Sequence, residues 1–222
     1  MKKIYAIYGT GGHGREIMPE LQSFLEAKLK FNPKDLVFID DELRNETFVN
    51  NFKTYSFKGF LKSFKGNYLF CTVAVSAFQI RQRLTNKCKK NKVQLLTIQS
   101  PDAKVYDTAK IGEGSIISPL SIISPNVDIG ESFHLNRFCN VAHDCKIGNF
   151  VTFGPGVKCN GNIIIEDNVY IGSGAIIRQG TKSKPLIIGK NSIIGAGSVV
   201  LKDVPSNVTV IGNPARVLNK LI

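Results

Sequence analysis

Reading every sixth residue from Val105 gives Val105, Ile111, Ile117, Ile123, Ile129, Leu135, Val141, Ile147, Phe153, Cys159, Ile165, Ile171 and Ile177, an unbroken apolar series. With 43% of the chain hydrophobic, chance yields such a run on the order of once in 10⁴ to 10⁵ trials. Glycine often follows the apolar residue, as at Gly112, Gly130, Gly148, Gly154 and Gly172. Four positions on stands a small or uncharged residue, such as Ala109, Ser115, Ser121, Cys139, Cys145, Val157 or Ala175. The spacing predicts short strands joined by tight corners, three hexads to a coil of about 18 residues. Stacked coils bury each other's inward aliphatics and open strand edges, so the expected architecture is a parallel β-helix. The period slips after Ile177 and resumes at Ile188, Ile194 and Val200, which predicts a loop over residues 179–185. The last segment leaves the period, and "VLNKLI" is expected to cap the open end as a short helix or strand.

The first hundred residues follow other periods. "KKIYAIY" reads as a buried strand, "GTGGHG" as a turn, and the next stretch as a helix with Ile17, Leu21 and Leu25 on one face. Pro19 is expected to kink that helix or to delay its start. Strand "DLVFIDDE", strand "NYLFCTVAV", a helix "AFQIRQRLTNKCKK" with Ile80, Leu84 and Cys88 aligned, and strand "VQLLTI" follow. Such alternation predicts a small parallel, Rossmann-like α/β sheet. Phe57, Phe60, Leu61 and Phe64 fall at i, i+3, i+4 and i+7 with Lys58, Lys62 and Lys65 between them. That is the pattern of an amphipathic helix rather than of nucleic-acid stacking. The chain thus divides into a Rossmann-like domain, 1–100, and a β-helix domain, 101–222, with the boundary near Ser100–Val105.

Charge sharpens the picture. The chain of 222 residues carries a formal charge of +12, and residues 1–100 hold 17 Lys and Arg against 8 Asp and Glu. Between Thr47 and Ser100 there is no acidic residue. Such a field attracts polyanions, whether nucleic acid or the diphosphates of nucleotide-linked metabolites. The five cysteines, Cys71, Cys88, Cys139, Cys145 and Cys159, lack any CxxC spacing, which points to a reducing compartment and no zinc site. The apolar run at the start is too short for a signal peptide and no later stretch is long enough to span a membrane, so a cytoplasmic protein is expected.

Two constellations carry candidate chemistry. Gly9, Gly11 and Gly14 form GxGxxG between a strand and a helix, where backbone N–H groups can cradle a diphosphate. Asp40 and Asp41 end the next strand, placed to accept hydrogen bonds from a nucleotide. A domain of this size is only half a dinucleotide fold, which favours a mononucleotide over NAD. The second constellation is "NVAHDCKIG". His143 stands two residues past the inward Val141, at a corner where its side chain should point away from the coil. An imidazole, with a reference pKa near ~6.5, suits proton removal from an attacking nucleophile, and a carboxylate beside it can orient the ring. His134 is read as structural. Only these two of the three histidines lie in the repeats, too few for a zinc-dependent carbonic anhydrase of this fold.

The order "YGTGGHG", "FIDD", hexads with "NVAHDCKIG", then "IIGAGSVVLKDVPSNVTVIGNPARV" resembles, over nearly the whole chain, the hexapeptide-repeat sugar acyltransferases. The group that it is most similar to comprises sialic acid O-acetyltransferase and the N-acetyltransferases of nucleotide-linked 4-amino-4,6-dideoxy sugars. The resemblance implies a left-handed β-helix, contrary to the usual crossover hand, and a homotrimer with active sites in the clefts between chains. It implies His143 as general base and Asp144, where many relatives have Glu, as the residue that raises its basicity. It places a sugar nucleotide on Gly11, Gly12, His13, Asp40, Asp41 and Ser76, and acetyl-CoA near Thr152, Ser173 and Ala196, with no metal. The expected activity is acetyl-CoA-dependent N-acetylation of a UDP- or dTDP-linked amino sugar for bacterial surface glycans. Alternatives are O-acetylation of a sugar hydroxyl, and a basic nucleotide- or nucleic-acid-binding scaffold without catalysis.

Overall fold

A computed structural model describes residues 1–28, 31–42 and 47–218. The chain forms two compact units, Met1–Pro101 and Asp102–Ile222.

In the first unit, strands β1 (Lys3–Tyr8), β2 (Leu36–Ile39), β3 (Thr47–Val49), β4 (Phe52–Tyr55), β5 (Tyr68–Val73) and β6 (Gln94–Leu95) form one sheet in the order β3-β4-β2-β1-β5-β6. Every pairing is parallel except β3 with β4. The strand β1 is central, and Ile4 to Tyr8 are buried on both faces, as a continuous apolar run in a parallel sheet requires. The β3–β4 hairpin has no counterpart in the sequence reading, and "VQLLTI" splits into β6 and a separate two-residue strand, Ile98–Gln99.

Helix α1 (Gly12–Lys28) buries Ile17, Leu21 and Leu25 as its spacing predicts. Pro19 does not delay its start: it lies exposed inside the helix, where it forgoes the hydrogen bond to the Arg15 carbonyl. Helix α2 (Phe57–Ser63) is capped by Ser56, whose Oγ accepts from Gly59 N at 3.1 Å, and it buries Phe57 and Phe60. Helix α3 (Phe78–Lys90) buries Leu84 and Cys88, but Ile80 is exposed and Arg81 takes the inward place. The reason is polar: Arg81 Nη1 donates to the carbonyls of Val75 at 3.0 Å and Ser76 at 3.3 Å, closing the β5–α3 loop.

The second unit is a left-handed parallel β-helix whose strands stack into three faces. One face runs through Ile116–Ile117, His134–Leu135, Thr152–Phe153, Tyr170–Ile171, Ile193–Ile194 and Thr209–Ile211. The next comprises Lys104–Val105, Ile122–Ile123, Asn140–Val141, Lys158–Cys159, Ile176–Ile177 and Val199–Val200. The third comprises Lys110–Ile111, Asp128–Ile129, Lys146–Ile147, Ile163–Ile165 and Leu186–Ile188. The hexad residues and the small residues four places on form one inward core, from Ile117 to Val210. Burying each such aliphatic contributes about 1.5–3 kcal/mol relative to leaving it in water, so the repeat itself is the stabilising device.

The glycines after the hexads are not the residues that turn the corners. A Cβ on Gly112, Gly130 or Gly148 would come within 2.4–2.6 Å of the neighbouring coil, mostly its backbone, so they are required by close stacking. The corners turn two residues later through positive φ, as at Gly156 (75°) and Gly174 (69°). Elsewhere Asn, Asp, Ser and even Phe hold that conformation. Residues 179–185 form the expected loop, closed by Thr181 N donating to Lys184 O and Lys184 N to Thr181 O, at 3.0 and 3.1 Å. Arg216–Val217 pairs antiparallel with Thr209–Ile211, while residues 219–222, where most of the expected cap falls, lie outside the described residues.

Candidate active site

His143 and Asp144 occupy the corner between Asn140–Val141 and Lys146–Ile147. The inward side chains of Val141 and Cys145, both fully buried, anchor the corner on each side. Asp144 sits at φ 58°, a left-handed conformation that Asp tolerates and that turns its short carboxylate back over the preceding residue. His143 Nδ1 thus donates to Asp144 Oδ2 at 2.7 Å, with the two side chains 49% and 47% exposed. Asn126 Nδ2, one coil earlier, donates to Asp144 Oδ1 at 3.1 Å. The hydrogen bond from His143, then that from Asn126, holds the Asp144 carboxyl below the ordinary carboxylate range, with Lys182 adding a smaller favourable charge. A carboxylate on Nδ1 selects the tautomer with a free lone pair on Nε2. The ring therefore presents a half-exposed base whose orientation is held from behind.

On its other side the ring lies against Gly161, one coil further on. A Cβ built there would stand 2.6 Å from both Cε1 and Nε2 of His143 and 3.1 Å from Cδ2. Neither Asn126 nor Gly161 was singled out from the sequence. Their signal was the coil length, since they stand 18 positions before Asp144 and 18 after His143. His134, by contrast, is wholly buried on a strand, as the structural reading requires.

The expected acetyl-CoA residues fall elsewhere on the β-helix. Ser173 and Ala196 are exposed and stacked on consecutive coils, with Gly197 N donating to Ser173 O at 2.8 Å. Their corner joins the face of Tyr170–Ile171 to that of Ile176–Ile177, whereas His143 stands on the corner after the latter face. Thr152 lies on a strand leading towards the Ser173 corner; it is nearly buried, and its hydroxyl makes no hydrogen bond among the described residues. One chain therefore holds the dyad and the proposed acetyl-CoA surface on different edges of the triangular solenoid.

In the first unit the expected substrate residues all follow the C-terminal ends of three adjacent strands, β2, β1 and β5, the edge at which such sheets bind ligands. Gly9 N donates to Ile39 O at 2.8 Å and Ala74 N to Tyr8 O at 3.0 Å, locking the three loops together. A Cβ on Gly14 would sit 1.9 Å from Gly9 O, so that glycine serves the turn. Gly11 and Gly12 are exposed and a Cβ on either would meet nothing within 4 Å, so no intramolecular contact requires glycine there. His13 is mostly buried, its Nδ1 4.0 Å from Glu16 Oε2. Ser76 is exposed within the loop that Arg81 holds. The Arg81 guanidinium is pushed down to about 9 by its burial.

The two aspartates differ. Asp40 Oδ1 accepts from Glu42 N at 3.0 Å and Oδ2 from the Thr10 hydroxyl, within the glycine turn. Asp41 is committed to the fold: Oδ1 accepts from Phe57 N at 2.9 Å, while Oδ2 takes the Tyr8 hydroxyl and the Lys87 ammonium. Burial works to raise the Asp41 carboxyl, but hydrogen bonds from Lys87, Tyr8 and Phe57 together with the Lys87 charge outweigh it and keep it low. Burial, and then Asp41, raise the Tyr8 hydroxyl. Lys87 Nζ also stands 4.7 Å above the Phe57 ring, which stacks on Tyr8.

Among the described residues no cluster of three or more His, Cys, Asp or Glu is arranged to hold a metal, and no helix is long and apolar enough to cross a membrane.

A family model described as bacterial transferase hexapeptide (six repeats) matches residues 144–182. The GDP-perosamine N-acetyltransferase of Escherichia coli O157:H7 is 48% identical over 219 residues, covering 98% of this chain and 97% of that protein. WeeI from Acinetobacter baumannii AYE has a similar structure, with a TM-score of 0.93 at 44% identity over 98% of this chain and 100% of that one. The acetyltransferase domain of PglB from Neisseria gonorrhoeae FA1090, solved in complex with acetyl coenzyme A, gives a TM-score of 0.85 at 29% identity over 98% and 100% of the two chains.

Proposed function

The chain belongs to the hexapeptide-repeat sugar N-acetyltransferases, and on that basis we propose that it transfers an acetyl group from acetyl-CoA to a GDP-linked 4-amino-4,6-dideoxy sugar of the perosamine type. The product serves bacterial surface glycans. What favours GDP over the UDP or dTDP expected from the sequence is the E. coli relative, whose name specifies a GDP-sugar.

The observation that carries the chemistry is the half-exposed imidazole of His143, held at Nδ1 by Asp144 with Nε2 left as acceptor. Nε2 takes a proton from the sugar amine as its nitrogen attacks the thioester carbonyl. The C–N bond forms, the C–S bond breaks, and the proton passes from the imidazolium to the departing thiolate of CoA. Asp144 stabilises the imidazolium. The sugar nucleotide lies along the Gly11–Gly12 turn with the first N–H groups of α1 facing its diphosphate, near Asp40 and Ser76. Asp41 supports that site through the loops rather than by touching the ligand. Acetyl-CoA runs along the Ser173 and Ala196 corner, near Thr152. Because that corner and His143 occupy different edges of one solenoid, the active unit is a homotrimer in which neighbouring chains complete each site. The enzyme works in the cytoplasm, a setting compatible with its free cysteines.

The test is a panel of GDP-, UDP- and dTDP-linked sugars, each as 4-amino and 4-hydroxy forms, incubated with acetyl-CoA and read by thiol release and product mass. Acetylation of a GDP-amino sugar well above the others is expected. Turnover confined to hydroxyl acceptors would replace N- with O-transfer, and turnover of none would sink the reading.

A further inference from the structure

Gly161 has no conformational need to be glycine. Its φ lies outside the left-handed range, which the chain reserves for the next residue, Asn162, at 56°. It is also buried, although it stands on an outward corner.

The corner column explains both facts. Asp144 N donates to Pro125 O at 3.3 Å, Asn162 N to His143 O at 3.1 Å and Gly180 N to Gly161 O at 3.0 Å, so residues 125, 143 and 161 stand one above another on successive coils. Coils stack about 4.8 Å apart, so a side chain at 161 would occupy the layer directly above that of His143. The imidazole fills this place instead, lying over the Gly161 backbone with Cε1 and Nε2 each 2.6 Å from where a Cβ would be. The contact involves the reacting nitrogen, whereas Asp144 holds the opposite one.

We infer that Gly161 is a positioning residue for the reaction: its missing side chain is the seat that sets the tilt of the His143 ring and the direction of Nε2. This rests on the reading of His143 as the base. Two restraints then fix the ring, the Asp144 carboxylate on Nδ1 and the bare glycine beneath Nε2. A methyl group at 161 leaves the first in place and removes the second. The clash is with the far end of a half-exposed side chain, so the ring swings outward and the coil stays folded.

The experiment compares Gly161→Ala, His143→Ala and the double variant. In Gly161→Ala, kcat should fall about 10- to 100-fold, since misplacing a reacting group by an ångström costs on that order, while both KM values stay within about twofold. The His143 ring resonances should move in the substrate-free protein. On top of His143→Ala, Gly161→Ala should cost no further activity and no melting temperature, because there is no ring left to displace. Near wild-type turnover in Gly161→Ala, or losses that multiply in the double variant, would overturn the inference. If Gly161→Ala fails to fold, folding of the double variant supports the seat and its failure to fold refutes it. Should wild type acetylate no sugar nucleotide, the functional reading fails, while the ring resonances and melting comparison still decide the seat.

Discussion

At the scale of single residues, His143 should dominate catalysis. His143→Ala is expected to lower kcat by ~10²–10⁴-fold, the range of general-base catalysis, with little change in either KM. Asp144→Ala should cost less, because it releases the ring without removing the base. Raising pH should partly rescue His143→Ala with an amine acceptor, as more free amine forms without help; a hydroxyl acceptor should show much weaker rescue. Steady-state rates across pH check both points, and near wild-type kcat in His143→Ala would mean that the histidine is a bystander. Asp41 is expected to behave differently. Its folded pKa lies below the unfolded value, so its contribution is present above pH ~3.9 and is lost as pH falls through the folded value. Asp41→Asn should therefore destabilise the first unit by about 1 kcal/mol at neutral pH, a figure kept small because the group is partly exposed to solvent. The difference should shrink below pH ~3.9, as urea titrations at the two pH values would show.

At the scale of elements, the glycine turn and the start of α1 make a specific expectation. Since nothing surrounds a Cβ on Gly12, Gly12→Val should leave the melting temperature nearly unchanged. If the sugar nucleotide lies against that turn, its KM should rise by about tenfold or more, one or two hydrogen bonds' worth, with the acetyl-CoA KM unaffected. Equal effects on both substrates would count against the site. The elements also mark how far pattern reading reaches. Hexads located every coil of the β-helix because each inward residue has the same task. In α3 the same logic placed Ile80 inward, and the chain buries Arg81 instead. A helical period registers apolar faces; it does not register a guanidinium needed to close the loop five and six residues before it. The β3–β4 hairpin escaped notice because its strands are short and one side is exposed.

At the scale of the whole molecule, the separation of His143 from the Ser173 and Ala196 corner predicts sites shared between chains. Mixing and reassembling His143→Ala with Ser173→Arg, each nearly inactive alone, should restore roughly a quarter of the sites, since random assembly pairs two intact halves at that frequency in a ring. Activity no greater than the sum of the parents, in trimers shown by sedimentation to have exchanged, would place each site within one chain. The sequence by itself determined the solenoid, its coil length and the extruded loop, because these follow from a local period, and it made His143 and Asp144 neighbours at a corner. Only the tertiary structure decided that Asp144 reaches Nδ1, that Asp41 bonds Phe57, Tyr8 and Lys87, and that Gly161 and Asn126 flank the dyad. The first depends on the left-handed backbone at Asp144, and the others on what stands one coil, or one strand, away in space. Stacking brings residues 18 positions apart into contact, and side-chain direction at that contact is set by packing and hydrogen bonding rather than by local pattern.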